Sequence, residues 1–476
     1  MMEQTNVLLP LIMSIPLLGV LFALISKDNS SIKGNNILSL GILVTLTNLA
    51  VIFLALRSIA QGDDDIHFVS NVNWLSIPKI EFVFGADLFS LLLIAAVHCA
   101  ILLGLIGIRN NTHRQKALII FAMLFLSMIT NYLLAYDLFS FYIFFEAMLL
   151  PLFMLVGIFG NIKKQDILYR FFLYNLLGAV FLFIALCILF NQQNSNIQSI
   201  GDLHLNNKLQ IFVWGAIFVA FLSRIPIWPF HYWISSINAG LSNPLVFIIA
   251  NILPLTGVYG LIRFFPLTAP SIMEPYLLAL EIISIITMLV IALIGFSHKD
   301  VRYKIFSYTT VYYIFYLLGA LLPTDTLLEN IGFSLFSWII IVAAIEIILS
   351  HIEKEKQCNG MMECGILCNI KRTSFALSFF ILAAVGLPLS SIFLNNMLIF
   401  AGLLKFNLKM SIFILLAIVL SSLSLLQHLF YLRYPQTEHQ ENNLCAQDIS
   451  IWVFGFLSLI MILLFAAFIN PLWYMG

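Results

Sequence analysis

Fourteen apolar runs, each roughly 20 residues or longer, are distributed along the whole length of the sequence. About 20 apolar residues in a helix cross roughly 30 Å of hydrocarbon, so each run predicts one membrane-spanning helix. Only 10% of the residues are charged, against about 25% in an ordinary soluble domain, which excludes a soluble catalytic domain. We therefore predict an all-α polytopic membrane protein, with 1–476 as a single transmembrane domain. The predicted spans 1 to 14 are 7–26, 37–57, 84–108, 117–135, 138–159, 167–190, 210–234, 244–263, 274–296, 303–323, 330–351, 373–402, 410–432 and 449–472.

The charge balance and the first residues of the sequence bear on two further expectations. Lys and Arg total 23, as do Asp and Glu, so the net charge is zero and a basic face for nucleic acid is not expected. The sequence begins Met-Met-Glu-Gln-Thr-Asn and passes directly into apolar residues. Because a basic n-region is missing there, we expect a retained first helix rather than a signal peptide.

The distribution of basic residues predicts the orientation in the membrane. Most Lys and Arg residues fall in the loops that follow odd-numbered spans, and loops rich in these residues stay in the cytoplasm. The loops 352–372 and 433–448 are therefore predicted to be cytoplasmic. Both termini are then expected on the non-cytoplasmic side of a bacterial-type inner (cell) membrane. The polar stretch 191–208, between spans 6 and 7, predicts a short surface helix.

Three cysteines lie in the predicted cytoplasmic loop 352–372. Cys358, Cys364 and Cys368 form no C-x-x-C pair, and no histidine lies beside them in the loop. This spacing does not match a structural zinc site. We expect reduced thiols and no bound metal, as is usual in the cytoplasm.

Prolines interrupt two of the predicted spans. Pro226 and Pro229 lie in span 7, and Gly386-Leu-Pro388 lies in span 12. Proline lacks the N–H that continues a helix, and a bilayer tolerates the freed carbonyls only where protein or water satisfies them. Breaks five spans apart are typical of the inverted repeats of transporters, here spans 4–8 and 9–13, or alternatively 3–7 and 8–12. Two structural kinks without a repeat are the alternative.

A few ionisable residues lie inside the predicted spans, where each needs a partner or a function. Glu146 in span 5 and Arg224 in span 7 predict a buried ion pair. His231 follows the break in span 7 and is a candidate for the same path. Glu346 in span 11 is a further candidate for the proton path or an ion pair; it has no cationic neighbour in its own helix, and burial favours the protonated form of such a carboxyl. His98 in span 3 is expected to be a hydrogen-bonded packing residue.

Several motifs resemble one family. The segment 137–160, Asp-Leu-Phe-Ser-Phe-Tyr-Ile-Phe-Phe-Glu-Ala-Met-Leu-Leu-Pro and ending Gly-Ile-Phe-Gly, is similar to the helix 5 signature of the antiporter-like subunits of NADH-quinone oxidoreductase, respiratory complex I. Pro226-Ile-Trp-Pro-Phe-His-Tyr-Trp233, Lys299-Asp-Val-Arg302 and Gly386-Leu-Pro388 support the resemblance. It is strongest to subunit M, the counterpart of mitochondrial subunit 4, and extends over nearly the whole chain.

The resemblance implies a translocase subunit with no redox or catalytic centre of its own. Quinone, FMN and iron–sulfur clusters would be bound only by partner subunits, and the proton path would run along buried charges. Glu146 takes the place of the helix 5 glutamate, while Arg224 stands where the family has a lysine. Arginine cannot readily release a proton. Four further charged or histidine positions of the family fall on neutral residues here: Leu255, Tyr313, Trp338 and Asn396.

Three functions remain open from the sequence. The first is a membrane-arm subunit of a proton-translocating NADH-quinone oxidoreductase, in contact with other membrane-arm subunits and with lipid, whose own pumping is weak or absent. The second is a subunit of a multi-subunit cation/proton antiporter or an ion-coupled uptake system. The third is a structural or assembly scaffold that keeps the antiporter fold.

Overall fold

A computed structural model describes residues 7–26, 35–59, 67–76, 79–108, 114–160, 164–191, 197, 206–231, 233, 241, 243–264, 270–298, 301–322, 325–356, 371–388 and 390–433. The first six helices, the last two of them parts of one span, are α1 Leu8–Ile25, α2 Asn35–Ile59, α3 Leu88–Gly107, α4 Gln115–Leu134, α5 Leu138–Ala147 and α6 Leu149–Phe159. The following helices are α7 Lys164–Asn191, α8 Asn207–Arg224, α9 Pro244–Phe264, α10 Pro270–Ser297, α11 Val301–Ala320, α12 Asp325–Lys356, α13 Lys371–Val385, α14 Ser391–Phe406 and α15 Leu408–Arg433. Two strands, β1 His67–Ser76 and β2 Lys79–Ala86, lie between α2 and α3.

The described helices agree with the predicted spans 1 to 13. Ten helical segments in this part of the chain are long and apolar enough to cross a membrane. Span 14 and the loop 433–448, apart from Arg433 at the end of α15, lie outside the described residues. So do the cysteines of the loop 352–372, whose first residues continue α12 to Lys356. Most of the surface helix predicted at 191–208 also lies outside them.

The hairpin of β1 and β2 is an addition to the predicted all-α fold. The strands are antiparallel, with Val72 opposite Phe82, and span 3 starts at Leu88 rather than at residue 84. Phe82 and Phe84 alternate along β2, which places both on one face of a strand. Their rings pack against aromatic residues of α5 at centroid distances of 6.1 and 6.2 Å. This alternation is typical of a strand, but the apolar residues that follow it led to the prediction of span 3 from residue 84.

The most buried helices are α9 and α11, which contact each other and α12 at the centre of the bundle. Around them, α12 packs against α3, α7 against α8, and α10 against α15. Exposed apolar side chains are frequent on α1, α7, α10 and α15. This distribution is expected of a membrane protein, because the outer helices contact hydrocarbon instead of water.

The helix breaks predicted in spans 7 and 12 are present. α8 ends at Arg224, directly before the two prolines. Span 12 is divided into α13 and α14, and Gly386 between them has a φ of +96°, a backbone conformation that favours glycine. Span 5 is also divided, into α5 and α6 at Met148. Pro151 has no N–H for the Ala147 carbonyl, which explains the division.

Candidate functional site

The structure brings Glu146 and Arg224 together. Arg224 Nη2 lies 3.6 Å from Glu146 Oε1; the Arg224 side chain is fully buried and that of Glu146 is 27% exposed. The same Nη2 donates a hydrogen bond of 2.8 Å to the carbonyl of Phe145. The guanidinium carbon also lies 4.1 Å from the centroid of the Phe145 ring. A carboxylate, a carbonyl and an aromatic face thus surround one buried cation.

The pair is close but is not hydrogen-bonded directly. The separation of 3.6 Å between Arg224 Nη2 and Glu146 Oε1 exceeds the usual hydrogen-bond distance. Within the described residues, Arg224 Nε, Arg224 Nη1 and Glu146 Oε1 have no hydrogen-bond partner. Because arginine keeps its proton, the arrangement fixes a positive charge beside Glu146 instead of supplying a second proton carrier.

Helix geometry explains the position of Arg224. The chain after α8 turns away, and Trp233 Nε1 donates to the carbonyl of Ser223 at 3.0 Å. The backbone N–H of Trp228 donates to Thr287 Oγ1 of α10 at 3.2 Å. α9 can approach α8 closely because residue 257 is glycine. A Cβ there would lie 2.7 Å from the Phe221 carbonyl oxygen.

His231 lies in the broken segment after α8, beyond Pro226 and Pro229, and its side chain is partly buried. This places it on the same interrupted span as Arg224. Pro388 lies at the corresponding interruption between α13 and α14. The predicted residues Glu146, Arg224 and His231 are thus grouped around the first break, and Pro388 marks the second.

Glu346 has a basic partner that the sequence did not assign. Arg302 Nη2 and Nε lie 2.9 and 3.1 Å from Glu346 Oε1, and the glutamate is fully buried. The sequence offered no cation for this carboxyl within its own helix; the cation comes from α11, and an ion pair favours the charged carboxylate over the protonated form. Arg302 had been assigned to a loop. It is the second residue of α11 and reaches α12 across the helix pair.

A second basic residue of α11, two positions further on, is buried in the bundle. Lys304, 1% exposed, donates to Gln427 Oε1 at 3.0 Å and to the Ser424 carbonyl at 3.2 Å. Both acceptors lie on α15. The N-terminal end of α11 therefore carries one partly buried and one fully buried cation, each with polar partners.

Neutral groups occupy the centre of the second half. The Tyr308 hydroxyl donates to the Ala384 carbonyl at 2.6 Å and lies 3.1 Å from the Tyr312 hydroxyl. The Tyr312 and Trp338 rings stack at 4.9 Å, and the Ser334 hydroxyl donates to Asn396 Oδ1 at 3.1 Å. Leu255 is fully buried. The positions where the resemblance places charges are thus filled by hydrogen-bonded or apolar side chains.

Asp87 and Arg263 form an ion pair at the C-terminal end of α9. Arg263 Nη2 lies 2.7 Å from Asp87 Oδ2, and Arg263 Nε donates to the Tyr259 hydroxyl at 2.9 Å. Asp87 caps α3 by accepting from the Ser90 N–H. Burial raises the pKa of Asp87, but the Arg263 charge and the Ser90 hydrogen bonds outweigh this and hold the pKa below its ordinary value.

His98 and Asp137 have structural partners. His98 lies 2.8 Å from Asn48 Nδ2 and 2.8 Å from the Ile94 carbonyl, as expected of a packing residue. Asp137 caps α5 by accepting from the Phe139 and Ser140 N–H groups. Among the described residues, no group of three or more His, Cys, Asp or Glu side chains is placed to hold a metal ion.

Interrupted membrane helices, a buried Glu–Arg pair at one break and a polar cluster at the other define an antiporter-type membrane subunit. Residues 135–424, more than half of the chain, match the family NADH:quinone oxidoreductase/Mrp antiporter, transmembrane. The chain belongs to this family.

Similar proteins agree with this assignment. NADH-quinone oxidoreductase subunit M of Rickettsia bellii is 25% identical over 423 residues, which cover 87% of this chain and 85% of that protein. NADH-ubiquinone oxidoreductase chain 4 of Arabidopsis thaliana is 28% identical over 354 residues, 71% of this chain and 70% of that one.

Two solved structures share the fold. A chain of respiratory complex I from Thermus thermophilus gives a TM-score of 0.84 at 18% identity, covering 97% of this chain and 96% of that chain. A chain of the Mrp complex from a Dietzia species gives a TM-score of 0.80 at 17% identity, covering 98% and 95%.

Proposed function

We propose that this chain is a membrane-arm subunit of a proton-translocating NADH-quinone oxidoreductase. Support comes from the family, from relatives named subunit M and chain 4, and from a fold shared with a chain of respiratory complex I. Other membrane-arm subunits and lipid are the partners in this proposal. Quinone, FMN and iron–sulfur clusters belong to partner subunits, and the chain resides in a bacterial-type cell membrane with both termini on the non-cytoplasmic side.

The proposal includes a weakened or absent proton path through this chain. The observation that carries it is the contact of Glu146 with an arginine, at 3.6 Å, where a lysine would be able to release a proton. The hydrogen-bonded tyrosines and Trp338 at the centre of the second half are neutral and replace the charged side chains that the resemblance implies for a proton path. In this proposal the two halves are the inverted repeats of spans 4–8 and 9–13. Proton transfer from one half to the other would then be interrupted at the centre of the second half.

A second candidate is a subunit of a cation/proton antiporter or ion-coupled uptake system. The shared fold with an Mrp complex chain, at a TM-score of 0.80, favours it almost as much as the complex I match does. The absence of charged side chains among Tyr308, Tyr312, Trp338 and Asn396, at the centre of the second half, is an equal difficulty for that function. A scaffold with the antiporter fold is the third candidate, since a packed ion pair also stabilises architecture.

Purification of the tagged chain from its native membrane tests the first function. We expect flavin- and iron–sulfur-containing subunits to copurify with it in a NADH-oxidising complex. Copurification with antiporter subunits alone would favour the second function. Copurification with neither set of subunits would favour a scaffold. Proton flux of the reconstituted complex, compared with the Arg224→Lys variant, then tests the weakened path. Strong flux through the native chain would contradict it.

A further inference from the structure

Trp338 has a buried donor without a partner at the centre of the second half. The residue is 1% exposed, and within the described part of the chain its indole Nε1 makes no hydrogen bond. Indole N–H is a donor only. Leaving such a group unpaired in the interior is costly, so a buried donor of this kind calls for an acceptor.

A small cavity lies beside this residue, between α9, α11 and α12. It measures about 10 Å³ and is lined by Asn251, Thr309, Tyr313 and Trp338 together with five aliphatic residues. A cavity of roughly 10–15 Å³ holds one water molecule, provided that two to four polar groups surround it. The volume and the lining meet both conditions.

The hydroxyl groups that line the cavity can still form the hydrogen bonds that a water molecule needs. The Thr309 hydroxyl already donates to the Ile305 carbonyl at 2.7 Å, and the Tyr313 hydroxyl donates to the Asn251 carbonyl at 2.8 Å. Each hydroxyl oxygen can still accept a hydrogen bond. A water molecule that accepts from Trp338 and donates to Thr309 and Tyr313 makes three hydrogen bonds, the usual number for an internal water.

We propose that one water molecule is bound in this cavity and held by Trp338 Nε1, Thr309 Oγ1 and Tyr313 Oη. Its oxygen must accept from the indole, so an ammonium or a metal cation does not suit the site. The water links α11 to α12 beside α9 without introducing a charge. This inference does not depend on which assembly contains the chain.

A cryo-EM map of the full chain, at a resolution that shows ordered water, tests the site directly. We expect density within hydrogen-bond distance of Trp338 Nε1 and the Thr309 hydroxyl, and loss of that density in Trp338→Phe, which removes the donor and keeps an aromatic ring. An empty cavity in a map that shows other internal waters would overturn the proposal. Unchanged density in Trp338→Phe would overturn the role of Trp338.

A thermal double-mutant cycle provides a second test if a single variant folds poorly. Trp338→Phe and Thr309→Val each remove one bond to the water. We expect Thr309→Val to lower the Tm by about 1–2 °C. Trp338→Phe should lower it further, because the smaller ring also loses packing against Tyr312. Because both act on the same molecule, the double variant should lose less than the sum. Thr310→Val is the matched control, since Thr310 is equally buried but does not line the cavity. Additive losses for Trp338→Phe with Thr309→Val would contradict a shared water.

Discussion

The Tyr308 hydroxyl donates a hydrogen bond to the Ala384 carbonyl, which is the carbonyl that Pro388 leaves without a helical partner. In an uninterrupted helix the N–H four residues later would fill this role, and proline has none. A side chain of α11 therefore replaces a backbone donor of the interrupted span. The break between α13 and α14 is stabilised from a neighbouring helix.

Tyr308→Phe tests this replacement. Because the buried carbonyl loses its donor, we expect the free energy of unfolding to fall by about 1–3 kcal/mol. Thermal unfolding of the purified chain in detergent measures the effect. Tyr276→Phe, at an exposed position on α10, is the control for loss of a hydroxyl. Equal stability of the two variants would show that Ala384 finds another donor.

Arg224→Met removes the cation beside Glu146. Removal of one partner from a buried pair costs about 3–5 kcal/mol, and the partial exposure of Glu146 should place the loss at the lower end. We expect less folded chain in the membrane, measured by size-exclusion chromatography of a fluorescent fusion. The double variant Arg224→Met, Glu146→Gln should recover part of the loss, because no uncompensated charge remains. No recovery would mean that Arg224 acts through packing alone.

Glu146→Gln should impair assembly at least as much as proton translocation. The carboxylate compensates a fully buried guanidinium, so its removal strands that charge in the bundle. The two readouts are the amount of assembled complex on a native gel and the proton flux per assembled complex. A variant that assembles normally and loses flux specifically would assign Glu146 to transport and refute a mainly structural role.

Arg302 and Glu346 should be coupled energetically. In a double-mutant cycle of Arg302→Met and Glu346→Gln, residues in direct contact usually give a coupling energy of about 0.5–3 kcal/mol. Pairing Glu346→Gln with Lys405→Met, at the exposed end of α14, should give additive effects. Thermal stability of the four variants and the native chain supplies the cycle. Additivity within the Arg302–Glu346 pair would contradict a stabilising contact.

Asp87 should give a pH-dependent contribution to stability. Since the folded-state pKa lies below the ordinary value, the stabilisation is fully present above the unfolded-state pKa, about 3.9. It is lost as the pH falls through the lowered folded-state pKa. The difference in Tm between the native chain and Asp87→Asn should therefore shrink as the pH is lowered from 6 toward about 3. A difference that stays constant over this range would exclude a charged Asp87 as its source.

Local patterns in the sequence were sufficient to predict much of the architecture. Apolar runs identify the described spans because hydrocarbon thickness sets their length. Prolines located the interruptions after Arg224 and before Pro388, since the missing N–H acts within one helix. The contact of Glu146 with Arg224 was predicted because two isolated charges in neighbouring spans have few alternative partners.

Contacts between helices distant in sequence could not be predicted in the same way. Arg302 was assigned to a loop because it lies at a helix end, and only the packing of α11 on α12 shows that it reaches Glu346. The partner of Tyr308 likewise depends on how α11 meets the interrupted span. Which helices are neighbours, and at what depth their residues meet, is a property of tertiary packing and not of any single apolar run.

The attachment of the hairpin to α5 has a consequence for biogenesis. The Val83 N–H of β2 donates to Asp137 Oδ2 across 54 residues of sequence, so the hairpin cannot complete its contacts until span 5 has been synthesised. At about 5–20 residues per second, this interval is roughly 3–10 s. During that time the early spans are in the membrane, and a protease or a chaperone on the hairpin's side of the membrane would encounter the hairpin before its attachment to the bundle is complete.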